Sequence, residues 1–453
     1  MSDSGQRAPD RDLGLIDAVM VGMGAMIGAG IFVLTGLAAD IAGSNAIFVF
    51  ILNGIVTGFT ALSYGELVAA IPESGGGYAF VKEVFSDLIS FIMGWMLWFA
   101  YIIAGAVYAI GFGSNFLEFF EIYGIHLPKV IRVFGISFPG GSVFLGLLIV
   151  VIFVSLNALS TSASGGAETI VTLIKIGVLL LFAGFGSFAV TIDRFTPFFA
   201  THPVTSLLPA MGLTFVAFEG YDLITTVTEE IRNPTENVPK AIFYSLVGTV
   251  IIYILVVFVG IGTIGAATLA KAGETAIARA AQSFMPTIPI IGSGAAIIAF
   301  GAVFSTMSAL NAVILASSRV AFAMGREDQL PGNVGQVHAK YGTPFRAVIV
   351  SAIIMLIAVA LIPIRQVSNL ASLFFLLSFI VVNIAVIKLR RERPDIERPF
   401  TIPYYPLPPI LGIVCNIILS VVINPFIWFI GIGWLGLGAL VYLLLNLSLE
   451  INE

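Results

Sequence analysis

The chain is a succession of apolar stretches of about 20 residues or more, separated by short polar segments. A helix of that length spans the ~30 Å hydrocarbon core of a bilayer. We therefore predict an all-α integral membrane protein. The candidate spans are 14–40, 45–71, 86–113, 141–160, 166–191, 205–230, 239–265, 286–324, 345–363, 367–389, 406–422 and 425–449.

The composition excludes a soluble protein and argues against an enzyme. Of 453 residues only 10% are charged, against about 25% in soluble domains. The polar gaps between spans are too short for a soluble catalytic or nucleotide-binding domain. Cys415 is the only cysteine and no histidine lies in a span, so we expect no metal, no cofactor and no nucleic-acid partner.

Lysine and arginine concentrate on one side of the predicted membrane. With residues 1–13 as a cytoplasmic tail, 14 of the 21 Lys and Arg residues fall in cytoplasmic segments and six in outer ones. Short cytoplasmic loops carry this excess of positive charge. We predict a multi-pass protein of the cell membrane, surrounded by lipid, with both termini cytoplasmic. The sequence does not fix its oligomeric state.

The remaining basic residue, Lys175, lies near the middle of the fifth predicted span. About nine residues into the span at 1.5 Å per residue, it is ~14 Å deep and reaches neither surface. An ionisable group at that depth marks a functional site by default. Burial favours the neutral amine, which makes Lys175 a candidate proton carrier. The alternative is a structural lysine bonded to backbone carbonyls of a neighbouring helix.

Two predicted spans are interrupted. The first contains three glycines in GAMIGAGIF, residues 24–32, and each costs about 1 kcal/mol relative to alanine within a helix. The sixth places Glu219 and Asp222 around Gly220, which predicts a break near 218–221. Glycines also allow close helix packing, but packing explains one such segment better than two. Paired interruptions in the two halves of a chain indicate a transporter binding site at the membrane midplane.

An interrupted helix offers its backbone groups as ligands. Free N–H groups at the N-terminus of a half-helix bind a carboxylate, and free carbonyls at a C-terminus bind an ammonium. Together they recognise an α-amino acid. Irregular backbone is tolerated at membrane depth where it lines a cavity.

Five motifs, in order along the chain, resemble the amino acid–polyamine–organocation (APC) superfamily of secondary transporters. They are GMGAMIGAGIF, SYGELVAAIPESGGGYAFVKEVFS, FVAFEGYDLITTVTEEIRNPTENVPKAI, AMGREDQLPGNVGQVHAKYGTP and RPFTIPYYPLPPI. The resemblance implies the leucine-transporter fold, with two inverted five-helix repeats at 14–191 and 205–389. Helices 1 and 6 would be broken, and helices 11 and 12 would follow at 406–449.

The resemblance also implies binding residues by position. The substrate carboxylate would meet the backbone of Gly28, Ala29 and Gly30. Its amino group would meet carbonyls beside each break, and Tyr101 and Phe218 would line the cavity. The implied substrate-binding set is Met26, Ile27, Gly28, Ala29, Gly30, Tyr101, Val216, Phe218, Glu219 and Gly220.

Lys175 matches the fifth-helix lysine of proton-coupled members, where the ammonium takes the place of the sodium of sodium-driven relatives. Its implied neighbours are Gly24, Ser305 and Ser308. A lysine ammonium and a bound Na⁺ would repel strongly in a low dielectric, so we expect protons as the coupling ion.

Glu219 departs from the family, which usually places an apolar residue there. With Asp222 it would favour cationic substrates, or it would titrate with Lys175 as a coupled pair. The expected function is import of amino acids by alternating access, as a proton symporter. The alternatives are a proton-independent exchanger of amino acids or polyamines that prefers cationic substrates, and a membrane receptor or partner subunit.

Overall fold

The computed structural model describes residues 12–126, 131–133, 136–138, 140–159, 165–195, 198, 202–288 and 292–452. Residues 1–11 of the predicted tail lie outside this set. The helices are α1 (Leu15–Met26), α2 (Ala29–Ala42), α3 (Ala46–Ala70), α4 (Gly76–Val84), α5 (Asp87–Ile122), α6 (Gly141–Leu159), α7 (Gly165–Ser187), α8 (Leu207–Thr214), α9 (Pro234–Ile264), α10 (Ala266–Ala272), α11 (Ala276–Gln282), α12 (Gly294–Arg326), α13 (Phe345–Leu361), α14 (Ile364–Glu392), α15 (Leu407–Val421) and α16 (Pro425–Asn452).

Among the described residues, nine helical segments are long and apolar enough to cross a membrane. The first, Leu15–Ala70, has 56 residues, which far exceeds one bilayer core at 1.5 Å per residue. The chain turns within it at Gly43–Asn45, so α1–α2 and α3 are separate passes. With the shorter apolar helices α13 and α15, the described helices cover each of the twelve predicted spans, although several helix ends differ.

Two pairs of short antiparallel strands lie between helices. Ile131–Val133 pairs with Ile136–Phe138, and Thr287–Ile288 pairs with Gly292–Ser293. The second pair makes the predicted start of the eighth span at residue 286 wrong. Residue 286 is a proline, which has no backbone N–H to donate within a helix, and α12 begins only at Gly294.

The helices differ in how much of their surface faces the bundle. The buried share of the apolar window is 83% in α5 but 17% in Pro425–Leu447 of α16. A helix that is apolar all round and buried belongs to the interior of a bundle, so α5 forms the core with α12 and α14, which pack along it. Most apolar side chains of the α16 window face outward, where lipid would cover them.

The two ends of the bundle hold different segments. At one end Leu13 N donates to Glu230 O at 3.0 Å, and α4 packs against residues 222–230. We call this end the N-terminal face. The other end, the opposite face, holds the turn Gly43–Asn45 and α10, which packs against α2.

Candidate functional site

The first pass is broken between α1 and α2. α1 ends at Met26 and α2 begins at Ala29, so Ile27 and Gly28 lie outside regular helix. Gly28 has no room for a side chain, because a Cβ there would lie 2.5 Å from the Ala309 Cβ. The break lies inside the predicted interruption and leaves the first amides of α2 without intrahelical acceptors.

The second break follows α8. A 3-10 turn at Phe215–Phe218 leads to an extended Glu219, and a second 3-10 segment runs over Asp222–Glu230. Gly220 between them has φ +131°, a conformation that glycine adopts without steric cost. This break lies at the predicted position, although the sequence does not predict the 3-10 geometry around it.

The two breaks pack directly against each other. A Cβ on Gly30 would lie 2.6 Å from the Ala217 Cβ, and a Cβ on Gly220 would lie 2.7 Å from the Met26 amide nitrogen. The Tyr253 hydroxyl bridges them, 2.5 Å from the Met26 carbonyl oxygen and 3.0 Å from that of Ala217. The glycines therefore both interrupt the helices and allow the two breaks to pack closely.

A cavity of about 10 Å³ lies beside the breaks. Its volume is close to the minimum that holds one water, so a larger molecule requires the site to open. Of the two aromatic residues that the family resemblance implies as cavity lining, Tyr101 lines this cavity, whereas the Phe218 ring packs against Phe50 and Tyr253 and is not among its lining residues. The lining residues are Ala25, Tyr101, Ala104, Tyr108, Glu219, Gly220, Leu223, Val313 and Phe375.

The two carboxylates at the second break have different surroundings. Asp222 Oδ1 accepts from Gly220 N at 2.9 Å, and its Oδ2 accepts from the Tyr101 hydroxyl. Glu219 is 3% exposed, and neither of its carboxylate oxygens has a hydrogen-bond partner among the described residues. Burying a polar group without a partner is costly. Asp222 therefore fixes the shape of the break, while Glu219 can accept from a donor in the cavity.

The predicted donors for a substrate carboxylate are not equally available. Gly28 N donates to Met26 O at 2.8 Å inside the break. In this conformation the amide is therefore occupied and does not face a substrate carboxylate as a free donor. Ala29 and Gly30 are the first residues of α2, and amides at that position point out of a helix towards an anion.

Three of the predicted carbonyl ligands, those of Met26, Ile27 and Val216, already accept from the protein. Ile27 O accepts from the Ser305 hydroxyl at 2.6 Å, and Val216 O accepts from Glu219 N at 3.4 Å. A carbonyl oxygen has two lone pairs, so a substrate ammonium would share these acceptors. The Glu219 carboxyl oxygens remain available as acceptors, because neither has a hydrogen-bond partner among the described residues.

The structure brings Lys175 to the first break. Its side chain is fully buried and its ammonium donates to Gly24 O at 2.7 Å. The other predicted neighbours do not bind it, since Ser305 turns to the break and the Ser308 hydroxyl lies 3.4 Å from Glu168 Oε1. The two serines lie three residues apart on α12 and contact different residues.

Sequence reasoning misses two residues of this site. Glu168 lies seven residues before Lys175, two turns along the same face of α7, and this spacing is the signal that identifies it. Tyr253 gives no local signal, because the Met26 carbonyl that it contacts is 227 residues away in the chain.

Two larger cavities lie between the central cavity and the N-terminal face and share lining residues with their neighbours. One of about 130 Å³ shares Ala25 and Leu223 with the central cavity and is also lined by Glu168. Another of about 540 Å³ opens at the N-terminal face. The residues that these two larger cavities share are Thr226, Glu230 and Arg319.

Close contacts between segments shut off the breaks from the opposite face. A Cβ on Gly36 of α2 would lie 2.0 Å from the Gly273 carbonyl oxygen. The Ser114 hydroxyl donates to the Glu274 carboxylate, and Asn115 Nδ2 donates to Glu274 O at 3.4 Å. Burial raises the pKa of the Glu274 carboxyl. The structure is therefore open towards the N-terminal face and closed at the other.

Comparison with known proteins agrees with this architecture. The amino acid permease family matches residues 13–448. A branched-chain amino acid permease of Bacillus subtilis is 30% identical over 97% of this chain and 94% of its own. A methylthioribose transporter of the same organism is 30% identical over 96% and 93%, and its serine/threonine exchanger is 27% identical over 89% of each chain. The chain belongs to the amino acid permease family of the APC superfamily and is a multi-pass membrane transporter, not an enzyme.

Proposed function

We propose that this permease imports α-amino acids by alternating access, in symport with protons. The observation that carries the proposal is the fully buried Lys175, whose ammonium donates to the Gly24 carbonyl beside the first break. A sodium ion beside that ammonium would be strongly repelled in a low dielectric. A proton is then the ion whose arrival and departure changes the charge at the site.

The head group common to α-amino acids fits the groups that the breaks offer. The amides of Ala29 and Gly30, at the positive end of the α2 dipole, would bind the carboxylate. The Glu219 carboxylate would accept from the ammonium. The names of the branched-chain permease and the serine/threonine exchanger support an amino acid substrate. A methylthioribose transporter is just as similar, so the side-chain preference has to be measured.

The protonation state of Lys175 would decide how firmly α1 is held, which would couple proton binding to movement of α1. The charged ammonium holds the Gly24 carbonyl by a charge-assisted hydrogen bond, about twice as strong as a neutral one. Loss of the proton would weaken this bond and the attachment of α1 to α7. Because Ala25 of α1 lines both the central cavity and its route outward, a displaced α1 would widen the exit.

We infer the leucine-transporter arrangement from the placement of the two breaks. They lie in α1–α2, the first pass of the proposed repeat 14–191, and in α8 and the residues after it, the first pass of the proposed repeat 205–389. Inverted repeats with broken first helices place a site at the midplane. The excess of basic residues supports a cytoplasmic N-terminal face in the cell membrane.

Uptake into sodium-free liposomes tests the coupling. With an inward proton gradient, wild-type protein should accumulate a labelled amino acid from a panel that includes leucine, serine and arginine. Lys175→Ala should lose this uptake while it purifies as a folded protein. Lys240→Ala is the matched control, because Lys240 is exposed and pairs only with Glu236 among the described residues. Undiminished gradient-driven uptake by Lys175→Ala would refute the proposal.

The unpartnered Glu219 favours one second candidate, a proton-independent exchanger of cationic amino acids or polyamines. That exchanger would show counterflow without any dependence on the proton gradient, and arginine or putrescine would compete strongly. In this candidate Glu219 binds the cationic side chain instead of the α-ammonium, so Glu219→Gln should remove competition by arginine or putrescine and leave competition by leucine unchanged. Weak competition by cations in the wild type would exclude this candidate.

A further inference from the structure

Glu168, near the start of α7, lies between the buried Lys175 and the cavity that leads outward. The two residues are about 10 Å apart along the helix axis, at 1.5 Å per residue. Lys175 is fully buried and is not among the residues that line the cavities. Glu168 is half-buried and lines the cavity of about 130 Å³. A proton that leaves Lys175 for the N-terminal face therefore meets Glu168 on the way.

Glu168 and Lys175 approach the same residue of α1. Lys175 Nζ donates to Gly24 O at 2.7 Å, and a Cβ on Gly24 would lie 2.5 Å from Glu168 Oε1. Thr172 lies between the two on the same helix face, with its hydroxyl 3.5 Å from Glu168 Oε1. Gly24 has no side chain that would separate the carboxylate from the ammonium.

The partners of Glu168 within hydrogen-bonding distance are neutral hydroxyls. The hydroxyls of Ser308 and Thr172 lie 3.4 and 3.5 Å from Oε1, and no basic side chain pairs with the carboxylate in the described part of the chain. Asp17 faces the neighbouring turn, where it accepts from the Thr169 hydroxyl at 3.2 Å. The charged groups on the elements around α7 are Asp17 on α1, Glu230 after the second break, Glu236 and Lys240 on α9, and Arg319 and Arg326 on α12.

We propose that Glu168 is the proton acceptor through which Lys175 exchanges its proton with the N-terminal face. The Lys175 ammonium gives one proton to the Glu168 carboxylate, which leaves a neutral amine and a carboxylic acid. The acid then releases that proton to water in the cavity, and the carboxylate is restored. This inference rests on the proposed proton symport and adds the route that the proton takes.

Proteoliposomes with Glu168→Gln test the inference, because glutamine keeps an oxygen that accepts from Ser308 and Thr172 but cannot take up and release a proton as a carboxylate does. Three quantities would be measured with labelled leucine and labelled serine: gradient-driven net uptake, substrate-evoked proton influx with a trapped pH dye, and counterflow. Glu168→Asp tests rescue by a shorter carboxylate. Asp17→Asn is the matched control, a neighbouring acid outside the cavity lining.

We expect Glu168→Gln to reduce net uptake and proton influx by about a hundredfold or more, the typical size of general acid–base effects. Counterflow should stay within about twofold of wild type, because exchange of loaded carriers needs no net proton release. Glu168→Asp should recover part of the proton influx, and Asp17→Asn should match wild type. The inference fails if Glu168→Gln keeps full proton influx, or loses counterflow to the same extent. Absence of proton influx in the wild type would instead overturn the symport proposal, and the relay with it.

Discussion

Gly30 marks the closest approach of the two helix breaks. A Cβ there would lie 2.6 Å from the Cβ and 2.7 Å from the Cα of Ala217. The second of these atoms belongs to the backbone and cannot rotate away. In the proposed site, the same residue also supplies one of the first amides of α2 as a ligand for the substrate carboxylate. A substitution at Gly30 therefore tests the packing and the proposed binding together.

Gly30→Ala should force the breaks apart. Overpacking of this kind costs about 1–3 kcal/mol, and we expect uptake to fall at least about tenfold, as a cost of about 1.4 kcal/mol on the transport barrier would produce. Gly58→Ala is the control, because a Cβ on Gly58 of α3 meets nothing within 4 Å. Uptake and thermal unfolding would be measured at equal protein content. Wild-type uptake by Gly30→Ala would show that the contact between the breaks is dispensable.

The residues of the site divide by how far apart in the chain their partners lie. The glycine run of the first span and the acids around Gly220 predict the two breaks from local sequence, because helix propensity acts within a few residues. The hydroxyls that donate to backbone carbonyls at the breaks cannot be predicted in this way, since Ser305 contacts a carbonyl 278 residues away. Such contacts depend on the tertiary fold, which the local sequence does not encode.

At the scale of elements, one ion pair joins α3 to α14 at the N-terminal face. Arg390 Nε and Nη2 donate to the two carboxylate oxygens of Glu66 at 2.5 Å each, and Ile402 N donates to Oε2 at 2.8 Å. Glu66 is fully buried. A buried carboxylate with this many donors ties two passes and the segment after α14 into one unit.

Glu66→Gln should destabilise the bundle, because it leaves Arg390 without its counter-charge. Breaking a buried ion pair costs about 3–5 kcal/mol, and we expect the lower end because the Arg390 side chain keeps 23% exposure. Glu236→Gln, which breaks the exposed pair with Lys240, should leave the thermal midpoint unchanged. Melting in detergent, followed by loss of the folded peak in size-exclusion chromatography, compares the variants. Equal midpoints for both would contradict this account.

Helix ends are predicted less well than helix existence, for a physical reason. Hydropathy marks the part of a helix that lipid covers, whereas hydrogen bonding decides where the helix ends. α5 runs on to Ile122 past Glu118 and Glu121, nine residues beyond the predicted end of its span at residue 113. α9 begins at Pro234 rather than at 239, because proline is well suited to the first turn of a helix.

At the scale of the whole molecule, the open cavity and the excess of basic residues lie at the same end of the bundle. The cavity of about 540 Å³ opens at the N-terminal face, where the excess of lysine and arginine also lies. The opposite face is closed by the contact of Gly36 with Gly273. A carrier in this conformation would exchange substrate with the compartment on the N-terminal side, which the proposed orientation makes the cytoplasm.

Cysteine labelling in intact cells tests both the orientation and the open side. Cys415 is the only cysteine, so Cys415→Ala provides a background without thiols. Ala323→Cys, in the cavity of about 540 Å³, should react with a membrane-impermeant maleimide only after the cells are permeabilised. Gln282→Cys, in a cavity of about 340 Å³ at the opposite face, should react in intact cells. The reverse pattern would invert the proposed topology, and labelling of both from one side would mean that the two cavities do not lie on opposite faces of the membrane.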